Sequence, residues 1–171
     1  MSPSLRDELA AHAAALGDND EIRAILEEVC RITQMGFAAV ARVTDSRWIV
    51  CQVLDKIEFG LNPGDELDLK TTICDEIRQS GEAVIIDHVG DDPSWRTHHT
   101  PILYGFESYV SLPIKLSDGR FFGTLCAIDP QPRALSAPAT ISRMKRLALA
   151  VADILSLSQP APKNASQGGA R

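Results

Sequence analysis

The 171-residue sequence lacks any concentration of positive charge. Its 17 lysine and arginine residues are dispersed along the chain, and the formal net charge is -6. A protein that binds nucleic acid directly normally gathers basic side chains into a patch or stripe that neutralises phosphates. The sequence therefore argues against nucleic acid as a partner.

Long apolar runs are also missing. Residues 1–18 carry charged side chains and His12 among short apolar residues, which resembles neither a signal peptide nor a membrane span. Apolar residues make up 44% of the chain and charged residues 23%, as in an ordinary globular domain. We therefore expect one folded domain in the cytoplasm, with no membrane partner.

Cysteines are few and far apart. The four lie at positions 30, 51, 74 and 126, and no two form a Cys-x-x-Cys pair, which argues against a zinc site or a disulfide framework. Buried, reduced thiols in a reducing compartment are the expected state. A Gly-rich phosphate loop is also absent, so nothing in the sequence resembles the ATP site of a kinase.

The first part of the chain predicts two helices followed by a hairpin. Apolar residues recur at helical spacing over residues 5–16 and again over residues 20–35. The pattern then changes, because residues 37–43 and 48–54 are rich in β-branched and aromatic side chains. Turn-forming residues 44–46 separate these two predicted strands.

Short elements are predicted in the middle of the chain. Residues 66–69 favour a short strand, and residues 71–80 favour a helix that ends before a glycine. Either Thr71 or Thr72 is expected to cap that helix. Residues 83–86 are apolar, and residues 83–87 predict one further strand.

A long hairpin is the clearest local feature of the second half. Apolar residues alternate over residues 108–116, the dipeptide Asp118-Gly119 favours a tight turn, and residues 121–128 form the returning strand. Pro113 removes one backbone donor from the first strand, which is typical of an edge strand or a bulge. An apolar stripe over residues 138–157 predicts a closing helix.

This hairpin resembles a known family. The stretch SYVSLPIKLSDGRFFGTLCAID resembles the signature hairpin of GAF domains, on the matching residues Ser108, Pro113, Ile114, Asp118, Gly119, Gly123, Leu125 and Asp129. The preceding ICDEIRQSGEAVIIDHVGDDP resembles the helix, strand and loop before that hairpin in GAF modules of bacterial sensor histidine kinases. The resemblance covers residues 20–157, which leaves residues 1–19 as a helical extension and residues 158–171 as a disordered tail or linker.

The resemblance implies an α+β fold built on an antiparallel sheet of five or six strands. The N- and C-terminal helices would pack on one face of this sheet, and short helices and loops would cover a small-molecule pocket on the other. GAF domains bind cyclic nucleotides, haem, bilins or other small ligands and pass the state of the pocket to an attached output domain. The resemblance therefore implies a regulatory domain rather than an enzyme.

The candidate ligand contacts lie in the segment before the long hairpin, at His98, His99, Trp95 and Tyr104. In phytochrome-like GAF domains a Cys-His pair in this segment attaches a bilin, and aligning that pair with the two histidines places a histidine where the thiol would be. We therefore expect a small molecule bound without a covalent bond, of unknown identity. Alternatively, the two histidines are hydrogen-bonding groups on a surface loop.

Two further candidates lie in the predicted helix over residues 71–80. Cys74 follows an apolar residue and either lines the pocket or fills the core. Asp75 either forms part of a polar pocket rim or pairs with Arg78, which lies three residues further along the same helix face.

The predicted function is therefore a small-molecule sensor in bacterial signal transduction, associated with a histidine kinase in a two-component system. Residues 20–35 and 141–157 carry apolar stripes that we expect to form a homodimer and to relay the state of the pocket to a kinase output domain.

Two alternatives remain. A protein-interaction or dimerisation module of the same fold would need no ligand, and large side chains at Phe106, Ile73 and Leu103 would then fill the pocket. A thiol-dependent methionine sulfoxide reductase would use several convergent cysteines, but the four cysteine positions do not visibly match the thiol cluster of that family.

Overall fold

Two helices open the chain, as the apolar spacing predicts. α1 spans Pro3–Gly17 and α2 spans Asp20–Thr33. Asn19 caps α2, because its side-chain oxygen accepts hydrogen bonds from the backbone N–H groups of Glu21 and Ile22. The computed structural model describes residues 3–158; the predicted tail, apart from its first residue, lies outside the described residues.

Six strands form one antiparallel sheet, which confirms the predicted α+β fold. The strands are β1 (Phe37–Val43), β2 (Trp48–Asp55), β3 (Glu66–Leu67), β4 (Val84–Ile86), β5 (Ser108–Lys115) and β6 (Phe121–Asp129). Their order across the sheet is β3-β2-β1-β6-β5-β4. The described fold also contains three more α-helices, α3 (Cys74–Ser80), α4 (His99–Tyr104) and α5 (Pro138–Ser158), and two short 3-10 helices, Leu69–Thr71 and Val89–Asp91.

The alternation of side chains along the strands creates two cores, one on each face of the sheet. On the helical face, α1, α2 and α5 pack over buried residues that include Val40, Leu112, Phe122 and Leu125. The opposite face carries Ala39, Tyr109, Cys126 and Ile128 beneath α3 and the loops around it. The two neighbouring aromatic residues of β6 divide between the faces, because Phe122 is fully buried on the helical face and Phe121 packs on the other.

Close contact between β1 and β6 depends on Gly123. A Cβ atom at this position would lie 1.8 Å from the carbonyl oxygen of Ala41 in the neighbouring strand. Only a residue without a side chain therefore permits the observed register, in which Ala41 pairs with Thr124 and Arg42 with Gly123. This register fixes which residues of β6 face away from the helices.

Pro113 lies in an inner strand, because β5 has a neighbour on each side. β5 is therefore not an edge strand, but the other alternative predicted for Pro113, a bulge, agrees with the irregular pairing of β5 and β6 between Ile114 and Lys115. β4 is only three residues long and its pairing with β5 ends at Ser111. Beyond that residue the outer side of β5 has no strand that needs a backbone donor, so the proline is tolerated there.

Among the helices within residues 3–158, none combines the length and the apolar character needed to cross a membrane.

Candidate functional site

A cavity of about 40 Å³ lies between the sheet and the segments that carry α3 and α4. We call it the aromatic cavity, because rings supply much of its wall: Phe37, Trp48, Phe59, Tyr104, Phe106 and Tyr109. A void of this size holds a few water-sized molecules. It is far smaller than the roughly 300–1,000 Å³ of pockets that hold larger ligands.

One acidic residue holds the loop that brings Phe59 to this wall. The carboxylate of Asp55 accepts backbone hydrogen bonds from Ile57 at 3.1 Å, Phe59 at 3.0 Å and Gly60 at 2.8 Å. Burial raises the pKa of Asp55, but these hydrogen bonds outweigh it and lower the pKa overall. The ionised form of Asp55 is therefore the one that fixes this part of the wall.

α3 begins at the cavity and places Cys74 in its wall. The prediction that Thr71 or Thr72 caps this helix is wrong, since Ile73 occupies the capping position and makes no side-chain hydrogen bond. A single helical turn over Leu69–Thr71 precedes α3, and the hydroxyl of Thr72 donates to the carbonyl of Leu69 within that turn. The hydroxyls of Thr71 and Thr72 therefore bond to the turn before α3 and do not cap the helix.

Hydroxyl groups from the strands surround the thiol of Cys74. Its sulfur lies 3.2 Å from Oγ1 of Thr124, 3.8 Å from the hydroxyl oxygen of Tyr109 and 3.9 Å from Oγ of Ser111. Cys126 lies two residues after Thr124 on β6 and also lines the aromatic cavity. We call these five residues the thiol cluster. All of them are buried.

Cys74 and Cys126 act on each other's protonation. Contact with the neighbouring thiol of Cys126 favours the thiolate of Cys74 and lowers its pKa, against the opposing effect of burial. The same contact and burial raise the pKa of Cys126 well above its usual range. The pair therefore releases a first proton more readily than an isolated thiol and holds its second more tightly.

The indole N–H of Trp48 is buried and has no conventional hydrogen-bond partner within the described part of the chain. It lies close enough to the sulfur of Cys74 to contribute to lowering the pKa of that thiol. A buried donor without a partner costs about 1–3 kcal/mol. Such a group inside a cavity is a natural contact for an acceptor atom of a ligand.

Of the residues predicted to contact a ligand, Cys74 and Tyr104 line the aromatic cavity. The hydroxyl of Tyr104 lies 2.5 Å from Oγ1 of Thr71, and its ring packs against Phe59 with 5.8 Å between ring centres. Tyr104 therefore forms part of the cover of the cavity and ties α4 to the turn before α3.

His98, His99 and Trp95 lie outside the cavity wall and hold α4 in place. Nδ1 of His98 accepts the backbone N–H of Thr100 at 3.1 Å, which leaves Nε2 to donate to a carboxylate oxygen of Glu76 at 3.0 Å. Nε2 of His99 donates to the backbone carbonyl of Lys70 at 3.0 Å. The two imidazoles stack with 4.3 Å between centres, and Trp95 packs on His98.

Two other predicted side chains also point away from the cavity wall. Asp75 pairs with Arg78 at 3.1 Å on the partly exposed surface of α3. Leu103 is 58% exposed, so the expectation that it fills the pocket is wrong. The reason is that α4 is a single short helix, and only one of its sides can face the sheet. Phe106 and Ile73 are buried and line the cavity.

Within residues 3–158, no group of three or more His, Cys, Asp or Glu side chains is arranged to hold a metal ion.

The sequence reasoning missed most of the cavity floor. The candidates predicted from the sequence do not include Trp48, Tyr109 and Cys126, which line the cavity, or Thr124, which contacts Cys74. A signal was present, because the register of the long hairpin places Thr124 and Cys126 on one face of β6. Polar side chains on a buried strand face suggest a site, but Cys74 approaches them only through the tertiary fold.

Comparisons with known proteins agree with this architecture. The family model of the GAF domain matches residues 19–157, and the chain belongs to this family. A search of curated protein sequences finds no match.

Three solved structures illustrate the range of proteins with this fold. The GAF domain region of a putative membrane protein from Geobacter sulfurreducens PCA has a TM-score of 0.66 at 15% identity, covering 88% of this chain and 99% of that one. The GAF domain of a two-component sensor histidine kinase from Bacillus halodurans has a TM-score of 0.61 at 11% identity, covering 88% and 96%. A type II free methionine-R-sulfoxide reductase from Thermoplasma acidophilum has a TM-score of 0.60 at 11% identity, covering 86% and 95%. At these identities the likeness shows the fold alone.

Proposed function

We propose that this GAF domain is a cytoplasmic sensor whose small-molecule ligand binds in the aromatic cavity. The observation that carries the proposal is the buried indole N–H of Trp48, which has no conventional partner among the described residues and belongs to the wall of an aromatic-lined cavity. The ligand class that fits is a small uncharged molecule with a flat apolar body and one acceptor atom.

Ligand entry requires movement of the cover of the cavity. At about 40 Å³ the cavity admits only a few atoms, so a ring-sized ligand must displace α4 and the loop that carries Phe59. The contacts that hold α4 are polar and partly exposed, including those of His98 and His99. Such contacts exchange readily with water and contribute little to stability. In this proposal the two histidines hold the cover, and Tyr104, Cys74 and Trp48 contact the ligand.

The end of β6 offers a route from the cavity to the helical face. Ile128 lines the cavity, and the next residue, Asp129, accepts a 2.8 Å hydrogen bond from the backbone N–H of Gly36. Gly36 lies in the turn between α2 and β1. A ligand that moves β6 therefore acts on the end of α2. In turn, α2 is joined to α5 by a 3.0 Å ion pair between Glu28 and Arg143.

The outer faces of α2 and α5 are the proposed dimer surface. Leu149 is 64% exposed and Leu157 is 88% exposed, and a groove between the helices is lined in part by Ile25 and Ile154. Apolar side chains grouped on a surface are typical of an interface. We propose that a homodimer forms there and passes the state of the cavity to a histidine kinase output domain.

Two other functions have support from particular residues. Phe106 and Ile73 fill space beside the cavity, as expected of an interaction module that needs no ligand. The paired thiols of Cys74 and Cys126 favour thiol-dependent reduction of methionine sulfoxide. Turnover of free methionine sulfoxide by the purified protein with a dithiol reductant would establish that enzymatic function, and no turnover would exclude it.

Native mass spectrometry tests the proposed sensor function. Protein purified from its source cells is weighed before and after denaturation, with an absorption spectrum of each sample. The proposal predicts a bound small molecule that Trp48→Phe weakens and that the matched control Trp95→Phe retains, since Trp95 lies outside the cavity wall. A mass equal to that of the bare chain in the wild type, with no added absorption, would contradict the proposal and favour the interaction module.

A further inference from the structure

The fold brings two thiols from distant parts of the chain to one place. The sulfur of Cys74 lies 3.9 Å from Oγ of Ser111, and Ser111 pairs with Cys126 across β5 and β6. Cys74 begins α3, Cys126 belongs to β6, and both line the aromatic cavity. The other two cysteines, Cys30 and Cys51, lie in the core on the helical face of the sheet. Burial raises the pKa of both of these thiols, that of Cys51 to about 12. The chain therefore contains one thiol pair at a cavity and two thiols in an apolar core.

The surroundings of Cys74 favour a nucleophilic sulfur. Hydroxyl groups of Thr124, Tyr109 and Ser111 lie within 3.9 Å of it. Donors around a thiolate stabilise its charge without a neighbouring cation, and the thiolate is the reactive form of cysteine.

We propose that Cys74 and Cys126 are a reversible redox pair that hydrogen peroxide oxidises to a disulfide between α3 and β6. The size of the cavity is the independent support for this oxidant. A space of about 40 Å³ is larger than the roughly 10–15 Å³ that one water requires, and hydrogen peroxide has only two heavy atoms. Peroxide therefore fits beside the sulfurs without displacement of α4, unlike the larger ligand of the proposed sensor function.

The oxidation proceeds in two steps. The thiolate sulfur of Cys74 attacks one oxygen of peroxide and the O–O bond breaks, which gives a sulfenic acid on Cys74 and a hydroxide that leaves as water with the proton of the former thiol. The sulfur of Cys126 then attacks the sulfur of Cys74, its own proton leaves, and the S–O bond breaks to release a second water. The two thiols lose two electrons in total, and peroxide gains them.

Reduction follows by thiol–disulfide exchange with a dithiol, which restores both thiols. A disulfide requires the two sulfurs to approach to about 2.05 Å. It therefore ties the first residue of α3 to the central strand β6 on the floor of the cavity. This chemistry goes beyond the proposed ligand and does not depend on it.

Peptide mapping after peroxide treatment tests the proposal on the full-length protein. The reduced protein is treated with one equivalent of hydrogen peroxide, denatured in an alkylating reagent, digested and examined by mass spectrometry. The expected product is a peptide pair joined through Cys74 and Cys126, with Cys30 and Cys51 alkylated. Dithiothreitol should return all four cysteines to the alkylated form. The wild-type protein alone gives this result, so it does not depend on the folding of a variant.

Two variants sharpen the assignment. In Cys126→Ala, Cys74 should remain as a sulfenic acid that dimedone labels, because the second thiol is missing. The double variant Cys30→Ala/Cys51→Ala should form the disulfide at the wild-type rate.

Alkylation of Cys74 and Cys126 to the same extent as Cys30 and Cys51 after peroxide would overturn the proposal, and so would a disulfide that includes Cys30 or Cys51. Neither result would bear on ligand binding, which native mass spectrometry measures separately.

Discussion

Replacement of Gly123 by alanine is expected to lower the free energy of unfolding by about 3 kcal/mol. The new Cβ would lie 1.8 Å from the carbonyl oxygen of Ala41, so β1 and β6 must move apart. Loss of two ladder hydrogen bonds costs about 0.5–1.5 kcal/mol each. Overpacking adds about 1–3 kcal/mol. Because Thr124 and Cys126 follow on the same strand, the thiol cluster would be displaced as well.

Gly119→Ala is the matched control. Gly119 has a φ of +90° in the hairpin turn, and a Cβ there would meet no atom within 4 Å. Its replacement therefore costs only the strain of a left-handed backbone, about 1 kcal/mol. Urea unfolding followed by circular dichroism measures both variants. If Gly123→Ala destabilised the protein no more than Gly119→Ala, the register between β1 and β6 would be wrong, together with the placement of the cavity floor.

Three other outcomes follow from the structure. Asp129→Ala should lower the free energy of unfolding by about 3 kcal/mol in urea titrations, because it removes charged hydrogen bonds to two backbone N–H groups; an effect below about 1 kcal/mol would exclude a structural role for this carboxylate. The pKa of Asp55 is lowered in the folded state, so its stabilising effect is complete above its unfolded pKa of about 3.9 and disappears as the pH falls through the folded value. Unfolding of the wild type and Asp55→Asn should therefore differ at pH 7 and converge in strong acid; a constant difference would refute this. Sedimentation at tens of micromolar should find a wild-type dimer and a Leu149→Glu/Leu157→Glu monomer of unchanged stability; a wild-type monomer would exclude the proposed interface.

The elements that local pattern specifies could be predicted from the sequence. The apolar spacing of residues 20–35 predicts α2 because a helix buries one stripe, and the turn at Asp118-Gly119 predicts the long hairpin. The capping of α3 could not be predicted in this way. The hydroxyls of Thr71 and Thr72 donate hydrogen bonds to backbone carbonyls of the preceding turn, so neither side chain caps α3. The tolerance of Pro113 in an inner strand depends on the length of β4, and the sequence of β5 gives no information about that length.

The candidate site was harder to predict, because its parts meet only in the folded protein. The segment with His98 and His99 attracts attention by its composition, yet these side chains use their ring nitrogens to hold α4. The thiol cluster combines residues from α3, β5 and β6, and Cys74 and Cys126 are 52 positions apart in the sequence. Only the packing of α3 against β5 and β6 shows that they meet.

The resonances of the two indole N–H groups test the central claim, that a small molecule binds in the aromatic cavity beside Trp48. Protein labelled with ¹⁵N in its source cells is compared before and after denaturation, dialysis and refolding, with Trp48→Phe used to assign the resonances. The account predicts that removal of the ligand shifts the resonance of Trp48, whose N–H loses its acceptor, and leaves that of Trp95 almost unchanged. Identical positions for both resonances in the two samples would contradict it.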